Sequence, residues 1–495
     1  MRKKFLTNLG LLLFLNLLVK PFWILGIDRS VQNEVGVSEY GFYFAILNLS
    51  FIFNILLDFG ITNFNIRNIA QNHQLLNKHF SRIVVLKFIL AAVYFTVTLS
   101  AGLVLGYSGR QMELLLLLGF NQFILSFILY LRSNISGLLL FRTDSMLSVL
   151  DRVLMILFCG ALLWGNIVKE PFRIEWFVYT QTAAYLLTAM IAAAVVVAKA
   201  SFKKLYWNKA FVLMILRKSL PFAVLILLMT FYNRIDSVMI EWLLQEPLGN
   251  KQAGIYAAAF RLLDASNMIA YLFAVLLLPL FANMIKKQER IEELLRLAFT
   301  LLIVISVIAA STAFFYSREV MLLLYPIHAD ESMYQYIERI DQSAFVFKIL
   351  MCGFIPISTT YVFGTLLTAN GNLRQLNMMA AGGMALNLAM NFWLIPDYFA
   401  SGAAITSLTT QTVTAIMQVL LARWIFRLKI DWLLMLRLLL WFGGALLIGW
   451  LTTQTGLNWV QSFVIMVCAL LAYAVILRLF NIRAMIKIIR DVDKV

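Results

Sequence analysis

Apolar segments of about 20 residues recur along the whole chain, and this pattern limits the possible fold more than any other feature. A helix of that length crosses the ~30 Å hydrocarbon core of a bilayer, whereas the strands of a membrane barrel would give alternating segments of ~10 residues. The sequence is 62% hydrophobic and 13% charged, against roughly 25% charged residues in soluble domains. We therefore predict an all-α polytopic membrane protein with about 14 transmembrane helices.

The first apolar segment follows a basic start but has no small-residue cleavage site, so we expect a retained span rather than a signal peptide. The predicted spans are 5–26, 38–62, 81–106, 113–140, 147–167, 175–198, 218–244, 253–285, 296–316, 344–369, 377–396, 402–424, 435–455 and 461–480.

Lysine and arginine are distributed unequally between the two sets of loops. The side that holds the N-terminus carries 27 of them and the opposite side seven. The positive-inside rule then predicts that both termini lie in the cytoplasm. This asymmetry accounts for most of the net charge of +16, so we expect no nucleic-acid partner.

A basic and apolar segment at 199–217 suggests a division of the chain, although a juxtamembrane anchor explains this segment equally well. The motif G-x-Y-x-A, at 41–45 and again at 254–258, indicates a repeat in which each half has six spans. The predicted domains are 1–198 (N-lobe, spans one to six), 199–217 (cytoplasmic interfacial linker), 218–424 (C-lobe, spans seven to twelve) and 425–495 (spans thirteen and fourteen with a cytoplasmic tail).

Seven cations lie within the predicted spans, namely Lys20, Lys87, Arg132, Arg152, Arg234, Arg261 and Lys348. Each costs at least ~2.5–3.5 kcal/mol on insertion scales unless it faces a cavity or a partner. Lys87 lies near an inner end, where a side chain snorkels easily to the headgroups. Arg152 and Lys348 are ambiguous, since the first follows Asp151 and the second lies near an outer end.

Arg234, Arg261 and Lys20 lie at a similar depth in the outer half of spans seven, eight and one. At ~1.5 Å per residue, Arg234 is about 15 Å and Arg261 about 12 Å from the outer ends of their spans. Three cations at one depth predict a positive chamber, and pyrophosphate suits it because arginine binds phosphate oxygens bidentately. The alternative is local charge pairing, with Asp264 three positions after Arg261. Asp236, two positions after Arg234, points elsewhere.

The sequence offers no catalytic or metal-binding constellation. Its three cysteines lie in apolar segments without ligand spacing, and its three histidines form no ligand set. We expect no catalytic residue, no metal and no cofactor. An acid within or beside the spans could instead take up H⁺ or Na⁺ as a coupling ion, and Asp264 and Asp236 are the candidates for ion coupling or charge pairing.

At this point the sequence resembles the bacterial polysaccharide-repeat flippases, which translocate O-antigen (lipopolysaccharide) and capsule units. They belong to the multidrug/oligosaccharidyl-lipid/polysaccharide (MOP) exporter superfamily. The segments that carry the resemblance are Tyr40-Gly41-Phe42-Tyr43, Asp58-Phe59-Gly60-Ile61, Arg67-Asn68-Ile69-Ala70, 231–237, 254–263, Asn370-Gly371-Asn372, Asn387, Asn391, Leu394-Ile395-Pro396 and Gly402-Ala403-Ala404.

The resemblance implies two pseudo-symmetric six-helix lobes around a cavity, plus two C-terminal helices, in the bacterial cytoplasmic (inner) membrane. The implied substrate is an undecaprenyl-pyrophosphate-linked oligosaccharide, moved to the periplasmic leaflet by alternating access. Arg234 and Arg261, with Lys20, would bind its pyrophosphate and glycan, and Asp58 and Arg67 match a cytoplasmic-gate position. The implied partners are this lipid-linked oligosaccharide, the phospholipid bilayer, and polysaccharide polymerase or ligase machinery.

Three other functions stay open at this stage. A multidrug exporter of the same superfamily would typically have twelve spans and an acidic lobe. A lipid II-type flippase would also have fourteen spans. An O-antigen ligase or polymerase would be an enzyme with a large outer loop that carries catalytic residues, whereas the outer loop predicted at 317–343 is short and acidic.

Overall fold

The computed structural model of the chain describes residues 15–16, 18–19, 21–62, 65–66, 69, 74–138, 140–165, 170–199, 209–429 and 431–479. These residues form helices and turns, and no strand occurs among them. The chain divides by its internal packing into two compact units, Met1–Gly254 and Ile255–Val495. The prediction of an all-α polytopic fold is confirmed.

The first unit begins with a π-helical turn, Trp23–Asp28, that leads directly into helix α1. Its helices are α1 (Arg29–Val35), α2 (Val37–Ile52), α3 (Leu75–Val104), α4 (Gly109–Gly137), α5 (Phe141–Trp164), α6 (Ile174–Val197), α7 (Lys209–Leu244) and the first turns of α8 (Leu248–Lys286). Helix α4 packs against α2, α3 and α6, and α2 also packs along α7. Helices α2 and α4 therefore form the centre of this unit.

The second unit contains the rest of α8 and six further helices. They are α9 (Glu292–Leu324), α10 (Met333–Cys352), α11 (Phe354–Ala369), α12 (Leu373–Phe426), α13 (Trp432–Thr453) and α14 (Trp459–Ile476). Helix α9 packs against α10, α11, α13 and α14. Buried Trp441, Met466 and Leu470 fill the contact between this helix and the last two.

The predicted number of fourteen spans stays a prediction. Within the described ranges, eleven helices are long and apolar enough to cross a membrane, and α2 is a shorter apolar helix. Most of the predicted first span falls outside the described residues. The predicted spans eleven and twelve both lie within the single helical segment α12. The predicted linker 199–217 also lies largely outside the described residues, so the lobe boundaries stay predictions.

Helix α12 breaks sharply between its two predicted spans. Phe399 has φ 53° and ψ −136°, three residues after Pro396. A Cβ atom on Gly402 would overlap the carbonyl oxygen of Leu394, although eight residues of straight helix would separate these positions by about 12 Å. The chain therefore folds back on itself at Phe399, as two consecutive spans require.

The predicted outer loop 317–343 is wrong in its bounds. Helix α9 continues to Leu324, and α10 begins at Met333 behind a capping box in which Ser332 and Gln335 exchange hydrogen bonds. The connection is therefore 325–332. Hydropathy marks only the apolar part of a helix, so helical turns that extend beyond the hydrocarbon core are predicted as loop.

The two glycines that open the predicted repeat pack against each other's helices in the first unit. A Cβ on Gly41 would overlap the carbonyl oxygen of Asn250, and one on Gly254 would overlap that of Val37. Gln32 Nε2 also donates a hydrogen bond to the Gly254 oxygen, at 3.2 Å. Small residues allow membrane helices to approach backbone to backbone in this way.

We expect Gly41→Ala and Gly254→Ala to destabilise the protein by about 1–3 kcal/mol each, because the added methyl group would force the two backbones apart. The measurement is the apparent melting temperature of the purified protein in detergent. Gly382→Ala is the matched control, since a Cβ on this helical glycine meets nothing within 4 Å. Equal melting temperatures for all three variants would contradict the close approach.

Candidate functional site

Arg234 lies on α7 and contacts the end of α2. Its Nη1 donates to Asn48 Oδ1 at 3.4 Å, and its guanidinium carbon lies 5.5 Å from the ring centroid of Phe51. Asn48 is itself held by a hydrogen bond from its Nδ2 to Ser237 Oγ, at 2.8 Å. The guanidinium is therefore oriented by a buried amide and an aromatic ring. Asp236, two positions further on, is fully buried.

Arg261 lies in the second unit, on α8, beside Asp264. The closest nitrogen and oxygen of the two side chains are 4.0 Å apart, and the side chains are 16% and 18% exposed. This contact is the local pairing that the sequence analysis left open, at the outer limit of an ion pair. Arg234 belongs to the first unit, so a chamber shared by both arginines stays a prediction.

Two of the predicted site residues lie outside the described residues. These are Lys20, predicted as the third cation of the chamber, and Arg67, predicted at the cytoplasmic gate. Asp58, the other predicted gate residue, lies within the described residues.

Asp58 forms an ion pair with Lys87 where span two is interrupted. Helix α2 ends at Ile52, a 3₁₀ turn covers Asn54–Leu57, and Phe59 and Gly60 have φ of 45° and 77°. Lys87 Nζ donates to Asp58 Oδ1 at 2.7 Å and to the Leu57 carbonyl oxygen at 2.9 Å. The expectation that Lys87 snorkels is wrong, since its side chain is only 1% exposed. It satisfies a backbone oxygen that the broken helix leaves without its own donor.

Arg152 on α5 is a cation whose surroundings the sequence did not reveal. Its guanidinium carbon lies 5.6 Å from the ring centroid of Trp23 and 5.9 Å from that of Tyr185. Its Nε is 3.5 Å from a carboxylate oxygen of Asp151. Trp23 and Tyr185 are far away in sequence, so only the presence of a cation within a span pointed to this position.

Arg132 and Lys348 have simpler surroundings than Arg152. Arg132 Nε donates to Asp144 Oδ1 at 2.8 Å, which joins α4 to α5. Lys348 Nζ lies 4.7 Å from the ring centroid of Phe314. Arg132 therefore has a structural role as one half of an ion pair.

Glu241, near the C-terminal end of α7, accepts hydrogen bonds from Tyr107 Oη at 2.9 Å and from Gln111 Nε2 at 2.8 Å. Burial raises the pKa of the Tyr107 hydroxyl well above its usual value, and the neighbouring Glu241 carboxylate raises it further. Tyr107 therefore stays a donor throughout the physiological pH range. These bonds join the loop before α4, and the first turn of α4, to α7.

Among the described residues, no three His, Cys, Asp or Glu side chains are grouped as a metal site. The intramembrane arginines are the more distinctive chemical groups. Arg234 and Arg152 both contact aromatic rings, and such rings can orient a guanidinium that also binds an anion.

The sequence model of the family described as polysaccharide biosynthesis protein matches residues 7–285, which is more than half of the chain. No curated protein matches the sequence.

Solved structures give the fold. A lipid II flippase MurJ in an inward closed conformation is 12% identical, with a TM-score of 0.71 over 94% of this chain and 99% of that chain. An inward-facing multidrug resistance MATE transporter is 13% identical, with a TM-score of 0.61 over 81% and 93%. A MOP superfamily transporter from Pyrococcus furiosus, described as having a binding pocket of reverse polarity, is 15% identical, with a TM-score of 0.60 over 86% and 95%.

The family match covers the stretch that holds Asp58, Arg152, Arg234 and Arg261, and the structural likeness extends over both units. The chain therefore belongs to the polysaccharide biosynthesis protein family and has the fold of the MOP superfamily transporters.

Proposed function

We propose that the protein is a flippase that moves an undecaprenyl-pyrophosphate-linked oligosaccharide from the cytoplasmic to the periplasmic leaflet by alternating access. The product would serve O-antigen, capsule or exopolysaccharide synthesis. The observation that carries the proposal is Arg234, an arginine inside an apolar span that is oriented by Asn48 and Phe51. A guanidinium in this setting suits the phosphate oxygens of a lipid-linked headgroup.

Family membership and fold support this proposal from two directions. The family is named for polysaccharide biosynthesis, and one neighbour in fold is a flippase for lipid II, itself a lipid-linked glycan. We infer that Arg234, Arg261 and Lys20 bind the pyrophosphate and glycan while the lipid tail stays in the bilayer. Asp58 and Arg67 would form the cytoplasmic gate, and H⁺ or Na⁺, bound near Asp236 or Asp264, would couple transport.

The distribution of charge between the loops also suggests where the protein lies in the cell. The protein would span the bacterial inner membrane with both termini in the cytoplasm, as its loop charges predict. It would hand its product to polymerase or ligase machinery and would not be an enzyme itself. A multidrug exporter shares the fold, but its substrates are commonly cationic, and the arginines within these spans favour an anionic one.

Deletion of the gene is expected to leave lipid-linked oligosaccharide in the cytoplasmic leaflet, because the later reactions take place on the other side. The measurement is the accessibility of the glycan to an added glycosidase in spheroplasts and in inverted vesicles. Accumulation in the periplasmic leaflet would instead indicate a ligase or polymerase. Resistance to cationic drugs that falls on deletion, with normal polysaccharide, would indicate a drug exporter.

Arg234→Ala is expected to lower surface polysaccharide at least about tenfold, because loss of a charged hydrogen-bonding group costs ~1.5–3 kcal/mol. Arg234→Lys should retain part of the activity, since lysine keeps the charge but not the bidentate geometry. Arg318→Ala is the matched control, because Arg318 is half-exposed and pairs with Asp341. Normal polysaccharide in correctly inserted Arg234→Ala protein would contradict the assignment.

Asp58→Asn is expected to destabilise the protein by up to ~3–5 kcal/mol, because it leaves the buried ammonium of Lys87 without its carboxylate. The double variant Asp58→Asn with Lys87→Met should recover most of that stability. If Asp58 also acts in the gate, the recovered double variant will still fail to restore polysaccharide in a deletion strain. Normal polysaccharide in this variant would limit the ion pair to a structural role.

A further inference from the structure

A cavity of about 480 Å³ lies at the predicted outer end of the first unit, and the function proposed above does not use it. It is lined where the N-terminal ends of α2, α4 and α6 meet, through Glu39, Arg110 and Glu175. We call it the outer cavity. Its volume is within the ~300–1,000 Å³ that is usual for small-molecule sites.

One wall of the outer cavity is aromatic. Trp176 and Tyr179 are three residues apart, which places them on one side of the first turns of α6, and Phe172 lies just before this helix; all three line the cavity. The rings of Phe172 and Trp176 meet edge to face, with centroids 6.0 Å apart and planes at 83°. This wall therefore offers flat apolar faces to a ligand in the cavity.

The charged residues that line the cavity are held in place by one another. Arg110 donates from Nη1 and Nη2 to both oxygens of Glu39, at 3.0 and 2.8 Å, and from Nε to Glu175 at 2.8 Å. Its guanidinium carbon also lies 4.9 Å from the ring centroid of Phe42. These contacts fix donors and acceptors in place before a ligand arrives, which lowers the entropy cost of binding.

The charges of the lining are balanced, and this balance decides the ligand class. The lining holds two arginines, Arg110 and Arg173, and two glutamates, Glu39 and Glu175, so it has no surplus of positive charge to attract a phosphate, unlike a purely cationic chamber. Sugar hydroxyl groups both donate to carboxylates and accept from guanidinium groups, and the C–H faces of a sugar ring pack on aromatic rings.

We propose that the outer cavity binds the glycan part of the substrate at the periplasmic mouth, as a subsite separate from the one that holds the pyrophosphate. This assignment rests on the proposed function, because it takes the glycan to be part of what the protein carries. A sugar leaving the bilayer interior would find stacking faces and fixed hydrogen-bonding groups there. The pyrophosphate would find no surplus of positive charge.

Aromatic residues also line membrane interfaces simply as anchors, and Trp164 provides the comparison. It ends α5 on the same predicted side, is 61% exposed, and does not line the cavity. An anchoring role would make Trp164 and Trp176 equivalent, whereas a sugar-binding role would separate them.

The experiment measures binding of a labelled oligosaccharide, released from its lipid carrier by mild acid, to the full chain in nanodiscs by equilibrium dialysis. Trp176→Ala should weaken this binding by about tenfold, as loss of an aromatic anchor does. Trp176→Phe should retain most of it, and Trp164→Ala should bind as the wild type does. Binding of inorganic pyrophosphate should be unchanged in Trp176→Ala.

Equal oligosaccharide binding by the wild type and folded Trp176→Ala would overturn the proposal, as would an equal loss in Trp164→Ala. The leaflet assay on the deletion strain tests the proposed flippase function independently of this binding measurement. Cytoplasmic accumulation after deletion, together with unaltered binding by Trp176→Ala, rejects the subsite alone. Selective loss of binding in Trp176→Ala, without any leaflet change after deletion, supports the subsite and rejects the flippase.

Discussion

Polar groups inside the hydrocarbon core must find their partners within the protein, and the contact of Lys87 with the break in span two shows how much depends on this. In the 3₁₀ turn that follows α2, the Leu57 carbonyl oxygen accepts from Lys87 Nζ, which also donates to Asp58 and to Ser126 Oγ. Three separate segments therefore meet at one ammonium group. Span two is interrupted at a proposed gate residue, Asp58. Lys87 stabilises this interruption by donating hydrogen bonds to the Leu57 carbonyl oxygen and to the Asp58 carboxylate.

The same requirement distinguishes the intramembrane cations by what they contact. Lys87 and Arg132 each lie within 2.8 Å of a carboxylate, so their charge serves to join helices. Arg234 contacts an aromatic ring and an amide oxygen. Arg152 contacts aromatic rings, and its Nε lies 3.5 Å from a carboxylate oxygen of Asp151. Contacts with aromatic rings and with an amide oxygen help to orient a guanidinium. The proposed pyrophosphate role of Arg234 rests on these orienting contacts and on its place within an apolar span.

Periodicity and charge bias predicted the helical class, because each span reports its own apolar length. They could not predict features set by distant contacts. The pairing of Lys87 with Asp58 joins positions 29 residues apart, and the aromatic surroundings of Arg152 come from other helices. The break at Phe399 within α12 has only Pro396 as a local signal. The glycine repeat was visible in the sequence, but the close approach of Gly41 and Gly254 was not.

A carrier must bind its substrate tightly enough to admit it and weakly enough to release it. If arginines in the bilayer interior hold the pyrophosphate, the outer end should not offer a second strong anion site, since that would trap the product. The outer cavity meets this condition, because Arg110 is already engaged by Glu39 and Glu175. Stacking on the aromatic side chains and hydrogen bonds to the paired charged groups would hold the glycan there while leaving the phosphate free to follow. Separating the binding of charge from the binding of sugar would thus avoid a steep final barrier to release.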